Sequence, residues 1–265
     1  MTANMTANTN TKTDYKVTAA LFLAFFALIA AGNLWLASAF DFPDILRQPA
    51  AERFALFQAN QGAIIPAYYL MGLTSILQIF MAVAMYHLTQ RRRLLDLFAV
   101  TAGVLSGIFQ VLGFFRWIIL IPMLANAYSS NEISADVIFF LEKFANTYLG
   151  MTVGEHLGTL FTGLWLLALG IVLVKNAAFD KKLAWLGLVA GSVLIVQSYE
   201  AVNSTALSFL ADIAIALWAL YGVWALILGI QLLRKQDDAT PQPVPWAVWL
   251  LGLVVYLANV VPALL

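Results

Sequence analysis

Long apolar runs, each close to or above the length of a membrane-spanning helix, dominate this sequence. A helix needs about 20 predominantly apolar residues to cross the hydrocarbon core of a bilayer. The seven runs are Val17–Phe40, Ala63–His87, Leu97–Leu124, Tyr148–Val174, the shorter Leu183–Ser198, Leu207–Leu233 and Trp246–Leu264. Because a helix satisfies its backbone hydrogen bonds within one segment, the runs predict an all-α, polytopic membrane bundle of seven transmembrane helices.

Composition supports a membrane protein and excludes several kinds of site. The chain is 62% apolar and 11% charged, with zero formal net charge, whereas soluble domains are about 45–50% apolar and about 25% charged. A chain with no net charge and no long basic stretch gives no indication of nucleic-acid binding. Since the chain has no cysteine and only two histidines, disulfides, iron–sulfur clusters and three-histidine zinc sites are excluded. We expect no metal and no cofactor.

The apolar runs define one membrane domain with short flanking segments. Residues 1–16 are polar and are predicted to form a disordered tail, followed by a single seven-helix domain over residues 17–265. The first run exceeds the apolar core of a signal peptide, so a retained first helix is favoured over cleavage. Residues 41–62 form a connector in which Pro49 begins a short amphipathic helix, with Phe54 and Phe57 on one side.

Lysine and arginine in the short loops predict the orientation of the bundle. With the N-terminus inside, the inner segments hold ten such residues and the outer segments hold only Arg47, Arg53 and Lys143. Because cytoplasmic loops carry the excess of positive residues, we expect the N-terminus inside, the C-terminus outside and the 41–62 connector external. The expected location is the cell inner membrane.

The stretch 150–175 carries the strongest indication of a functional site. Adjacent ionisable residues, Glu155 and His156, lie about two turns inside an apolar run. Ionisable groups at such positions are costly and commonly functional. Gly150, Gly154 and Gly158 recur every four residues, which allows a neighbouring helix to approach closely.

Other polar residues map to the same half of the predicted bundle. The third helix carries a small and polar stripe that is expected to face protein rather than lipid: Gly103, Ser106, Gln110, Gly113 and Arg116. We predict a polar pocket in the outer half, open to the outside or capped by the connector. Its predicted ligand-binding residues are Arg116, Glu155, His156, Asp212, Asn33, Tyr68 and Asn259.

Each of these residues also has a structural interpretation that stays open. Arg116 can extend toward lipid headgroups beside Trp117. A carboxylate as deep as Glu155 needs a partner, and Arg116 is the first candidate. The pair would be either structural or functional. Asp212 can lie at the interface, and His156 can be a hydrogen-bonded packing residue.

Three segments resemble an uncharacterised bacterial family of multi-span membrane proteins, a domain of unknown function. They are Phe42-Pro43-Asp44-Ile45-Leu46-Arg47, Phe115-Arg116-Trp117, and Gly154-Glu155-His156-Leu157-Gly158 with Gly163-Leu164-Trp165. The resemblance covers most of the chain after residue 16. It implies a bacterial inner-membrane protein and no established activity.

The residues leave three functions open. The first is a small-molecule or lipid-binding bundle, transporter-like or sensory, whose partners are membrane lipids and a small anionic or lipid ligand. The second is an intramembrane enzyme acting on a lipid or isoprenoid, with Glu155 or Asp212 as general acid and His156 as base. The third is a structural or assembly subunit, in which the polar groups fix helix register.

Overall fold

Helices make up nearly all of the described structure. The computed structural model describes residues 2–89, 93–130, 132–202, 209–235 and 242–264, and no strand occurs within these ranges. In chain order the α-helices are α1 Thr2–Phe40, α2 Ala50–Thr89, α3 Leu94–Phe115, α4 Ile121–Ser129, α5 Ala135–Ala145, α6 Gly158–Val174, α7 Lys181–Ser198, α8 Phe209–Asp212, α9 Ala214–Arg234 and α10 Trp246–Leu264. The predicted all-α class is therefore confirmed.

Two π-helical segments join consecutive α-helices into long rods. The segment π1, Arg116–Leu120, connects α3 to α4, and π2, Asn146–Leu157, connects α5 to α6. The resulting rods run over Leu94–Ser129 and Ala135–Val174, with 36 and 40 residues. At about 1.5 Å per helical residue, each exceeds the thickness of the hydrocarbon core.

Six helices of the described residues are long and apolar enough to cross a membrane. They are Lys12–Phe40, Ala50–Thr89, Leu94–Ser129, Ala135–Val174, Lys181–Ala201 and Ala214–Arg234. Trp246–Val261 is a shorter apolar helix at the position of the predicted seventh span. The chain is thus a multi-span membrane protein.

Several boundaries differ from those that the apolar runs predict. Helix α1 begins at Thr2, and Tyr15 is fully buried in the core, so the helix extends over the segment that we expected to be a disordered tail. The amphipathic helix of the connector is continuous with the second span in α2, with one non-helical residue at Asn60. The sixth run is divided at Ile213, between α8 and α9, and its first residues lie outside the described ranges. An apolar run shows which residues are compatible with the hydrocarbon core. A helix can extend beyond that run, because packing against other helices stabilises its polar ends as well.

The buried apolar residues form two clusters. The larger lies among α1, α2, α3, α6, α7 and α9, around the T-shaped ring pair Trp165–Trp224. The smaller contains Phe40, Tyr68 and Trp117 together with Ile45 and Leu46 of the connector. The connector therefore packs onto one end of the bundle, which we call the connector end.

Glycines set the close packing of α3 against the π2–α6 rod. A Cβ atom on Gly113 would lie 2.7 Å from the Cα atom of Gly154, so the two backbones touch there. A Cβ atom on Gly158 would lie 2.8 Å from Gln110. The predicted close approach at the four-residue glycine repeat is confirmed.

A buried hydrogen-bond network holds the same interface together. The hydroxyls of Ser106 and Thr162 lie 2.6 Å apart, and the Gln110 amide donates to Thr162 at 2.9 Å. Both hydroxyls also bond the Gly158 carbonyl. The polar stripe of α3 faces protein, as predicted, because these groups would be unsatisfied in lipid.

Candidate functional site

The two π-helical segments contain the residues that the sequence singles out. Arg116 begins π1, and Glu155 and His156 lie near the end of π2. Helix α3, which leads into π1, packs directly against π2. π-Helical turns are rare and occur frequently at functional sites, because the wider i→i+5 turn changes the direction of side chains. We therefore take this juxtaposition as the centre of the candidate site.

Arg116 is a buried cation held mainly by neutral groups. It is 6% exposed. Its Nη1 donates to the Gly113 carbonyl at 2.5 Å, and its Nη2 donates to Asn146 Oδ1 at 3.1 Å. A Cβ atom on Gly150 would lie 2.6 Å from Nη2 and 2.7 Å from Cζ. The guanidinium thus occupies a notch that only glycine leaves open.

Residues 41–48 form a strap across the connector end of the bundle. Ile45 and Leu46 of the strap are buried in the smaller apolar cluster. Arg47 Nη2 lies 2.9 Å from a Glu155 carboxylate oxygen and 3.4 Å from one of Glu200. Asn146, which accepts from Arg116, donates to the Leu46 carbonyl at 3.3 Å. The strap is therefore fastened to π2 and to the turn that follows α7.

Arg47 is the shared counter-ion of two carboxylates. Burial lowers the pKa of its guanidinium, but attraction and hydrogen bonding from Glu155 and Glu200 outweigh burial, so the pKa lies above its ordinary value. The Arg47 and Glu155 side chains are 39% and 31% exposed, whereas Glu200 is 4% exposed. This exposed contact marks the edge at which the site reaches the protein surface.

A second, fully buried ion pair lies beside the strap. Arg53 donates to both oxygens of Glu142, from Nε at 2.8 Å and from Nη2 at 2.6 Å. Arg53 Nη1 also donates to the Gln48 carbonyl. This bidentate geometry joins the start of α2, the end of the strap and α5, and it is the strong form of an arginine–carboxylate contact.

The charged side chains at the connector end form a balanced set, which we call the arginine–glutamate network. Its members are Arg47, Arg53, Arg116, Glu142, Glu155 and Glu200. Arg116 lies within electrostatic range of Glu142 and Glu155. Three positive charges therefore oppose three negative ones. Among the described residues, the three glutamates form their ion pairs, within 4.0 Å, with Arg47 and Arg53.

Two aromatic residues complete the surroundings of Arg116. The Tyr68 ring stacks on Trp117 with centroids 5.3 Å apart and planes at 9°. Arg116 Cζ lies 5.3 Å from the centroid of the Trp117 ring. Within the described part of the chain, Tyr68 Oη, Arg116 Nε and Trp117 Nε1 are buried and have no hydrogen-bond partner. We call these three residues the donor cluster.

The structure brings some of the predicted site residues together. Arg116, Glu155 and Tyr68 lie within electrostatic range of one another. His156 is next to Glu155, and its Nδ1–H donates to the Ser198 carbonyl at 2.8 Å.

The ion pair that we named first, Arg116 with Glu155, is not formed. Glu155 pairs with Arg47 instead. The physical reason is the notch at Gly150, which holds the Arg116 guanidinium five residues, about one turn, away from Glu155 along π2.

The side-chain hydrogen bonds of Asn33 and Asn259 in the described structure stay within their own helices. Asn33 and Asn259 donate only to carbonyls four residues earlier in their own helices, at 2.8 Å in each case. Asn259 is exposed on α10, which packs on α9. The Asp212 side chain lies outside the described residues. Their part in ligand binding stays a prediction.

Sequence reasoning did not assign Arg47, Asn146, Glu142 and Glu200 to the site. The orientation argument places three basic residues in the outer segments: Arg47, Arg53 and Lys143. These residues were candidate partners of the glutamates, because a carboxylate inside a span needs a cation and the outer segments hold few. Nothing in the local sequence indicates which cation meets which carboxylate.

Within the described ranges, no three His, Asp or Glu side chains group as metal ligands. A groove of about 630 Å³ runs along π1 and α4, where Ile119, Met123 and Glu132 line it. None of the residues that line this groove belongs to the arginine–glutamate network.

The fold and the site together define a multi-span helical membrane protein with a polar network at one end of its bundle. The family described as Domain of unknown function (DUF4386) matches residues 17–257. The chain belongs to this family, which agrees with the resemblance seen in the sequence. No curated protein and no solved structure matches it.

Proposed function

We propose that this protein is a ligand-binding membrane bundle of transporter-like or sensory type, with its site beneath the strap at the connector end. The observation that carries the proposal is Arg116, a buried cation in a π-helical turn that no carboxylate approaches at ion-pair distance within the described structure. Burying a charge without a close counter-ion is costly. Binding of a ligand that compensates this charge offsets that cost.

The paired glutamates favour a second candidate, a structural or assembly subunit. Glu142 is fully engaged by Arg53, and Glu155 and Glu200 share Arg47. Such pairs fix how helices meet without requiring a ligand. The enzyme hypothesis has less support, because the Nδ1 atom of His156 is taken up by the Ser198 carbonyl and Glu155 by Arg47.

The experiment that separates these candidates is mass spectrometry of small molecules that co-purify with the detergent-extracted protein. The wild type is compared with an Arg116→Met, Glu155→Gln double variant. A Lys143→Met, Glu52→Gln variant is the control, because it makes equivalent charge changes at exposed positions. We expect one compound class to be retained by wild type and control and lost from the folded site variant. Equal recovery from all three would support the assembly subunit.

We further propose that the bundle has seven spans in the inner membrane, with the N-terminus cytoplasmic and the C-terminus outside. The excess of lysine and arginine on one side supports this orientation. The chain has no cysteine, so single cysteines report topology directly. On intact cells, a membrane-impermeant maleimide should label Ser134→Cys, between α4 and α5. It should label Ala177→Cys, between α6 and α7, only after permeabilisation; the reverse pattern contradicts the orientation.

A further inference from the structure

The donor cluster has hydrogen-bonding capacity that the described protein does not use. Tyr68, Arg116 and Trp117 are 1%, 6% and 1% exposed, so Tyr68 Oη, Arg116 Nε and Trp117 Nε1 have little access to solvent. Buried polar groups are nearly always hydrogen-bonded, and each exception calls for an explanation. The Tyr68 ring and the Arg116 guanidinium both lie against the Trp117 indole, so the three unpartnered groups point to a common cause.

The chemistry of the three groups restricts what can satisfy them. Guanidinium and indole N–H groups only donate hydrogen bonds, and a phenol donates readily to an anion. The partner must therefore be a hydrogen-bond acceptor. Arg116 also carries a full positive charge, and within the described structure it donates to neutral oxygens of Gly113 and Asn146.

We propose that the donor cluster binds an anionic oxygen group, a carboxylate or a phosphate, carried by a lipid headgroup or by a small molecule. This proposal rests on the proposed ligand-binding function and names its ligand class. Arg116 Nε and Tyr68 Oη donate to the anion, with Trp117 Nε1 as a third donor. Charge-assisted hydrogen bonds of this kind are about twice as strong as neutral ones.

The neighbouring residues connect the donor cluster to the strap and to a partly exposed contact beside it. Asn146 links the Arg116 guanidinium to the Leu46 carbonyl of the strap. At the other end of π2, the half-exposed Arg47–Glu155 contact holds the strap down. In this proposal the anion enters beneath the strap and meets the donor cluster next to Asn146, which contacts both.

The test is the shift in unfolding temperature of the detergent-solubilised full chain with probes that differ only in headgroup charge. Oleate, oleyl alcohol and oleylamine share one hydrocarbon chain and carry negative, zero and positive charge. Inorganic phosphate represents a free anion. For an anionic lipid surface, the full chain is instead reconstituted in nanodiscs of phosphatidylglycerol and compared with the same chain in phosphatidylcholine.

We expect anionic probes to stabilise the wild type and their uncharged and cationic counterparts to leave it unchanged. Stabilisation by phosphate assigns a soluble ligand, whereas stabilisation by oleate and phosphatidylglycerol alone assigns a lipid-borne one. Arg116→Gln should weaken anion binding by about tenfold or more, as expected for loss of a hydrogen bond to a charged group. Lys143→Gln, which removes an exposed positive charge, should bind as the wild type does.

Tyr68→Phe and Trp117→Phe keep the test decisive if Arg116→Gln does not fold. Each removes one unpartnered donor and retains an aromatic ring, and each should weaken anion binding in a folded protein. Stabilisation by oleylamine or oleyl alcohol alone, or no response to any probe, overturns the anion assignment. So does equal weakening in Arg116→Gln and Lys143→Gln. A ligand that co-purifies under any of these outcomes leaves the proposed ligand-binding function standing.

Discussion

Two buried tyrosines give a direct prediction, because their hydroxyls have opposite surroundings. Tyr68 and Tyr221 are each 1% exposed. Tyr68 Oη has no partner within the described structure, whereas Tyr221 Oη donates to Gln78 Oε1. Phenylalanine removes only the hydroxyl and keeps the ring, including the stacking of position 68 on Trp117.

The expected magnitudes follow from the cost of an unpaired buried group. Leaving a buried donor or acceptor unsatisfied costs about 1–3 kcal/mol. Tyr68→Phe removes such a group, so the free energy of unfolding should stay equal or rise by up to about 3 kcal/mol. Tyr221→Phe leaves the Gln78 oxygen without its donor and should lower the free energy of unfolding by about 1–3 kcal/mol.

The assay is chemical unfolding in mixed micelles, after extensive washing to remove small molecules that co-purify. The prediction concerns the sign of the difference in unfolding free energy between the two variants, which should be about 1 kcal/mol or more in favour of Tyr68→Phe. A loss of stability in Tyr68→Phe as large as that in Tyr221→Phe would refute the reasoning, since it would mean that the Tyr68 hydroxyl has a partner in the ligand-free protein.

Two further substitutions test the packing around the network. Gly150→Ala should lower the free energy of unfolding by about 1–3 kcal/mol, because its Cβ would overlap the Arg116 guanidinium. The control is Gly62→Ala, a position with open space around it, which should be neutral or stabilising in thermal unfolding. Arg53→Met should cost about 3–5 kcal/mol by leaving Glu142 buried and unpaired, and adding Glu142→Leu should recover most of that loss in a double-mutant cycle; additive losses would contradict a coupled pair.

The sequence predicts the parts of the site that depend on one segment alone. Glu155 and Arg116 stand out because ionisable residues within apolar runs are rare. The glycine repeat of the π2–α6 rod and the polar stripe of α3 are visible from helical spacing, since each lies on one side of its own helix. Each of these predictions depends only on residues that lie within about four helical turns of one another in the sequence.

Contacts between distant segments could not be predicted in the same way. Arg47 and Glu155 are 108 positions apart, and Arg53 and Glu142 are 89 apart. With several arginines and glutamates at one end of the bundle, their pairing depends on the exact placement of each backbone. The π-helical turns carry no local residue signal. Arg116 begins one of them and occupies the notch at Gly150 of the other, which keeps it away from Glu155.

An experimental structure of the full chain in lipid nanodiscs, at a resolution that shows ordered waters, tests the central claim most directly. The account predicts density for a bound group within hydrogen-bond distance of Arg116 Nε and Tyr68 Oη, with Glu155 and Glu200 still on Arg47. Arg116 in direct contact with a protein carboxylate, and no bound group at Tyr68 or Trp117, would contradict the account and favour a purely structural network.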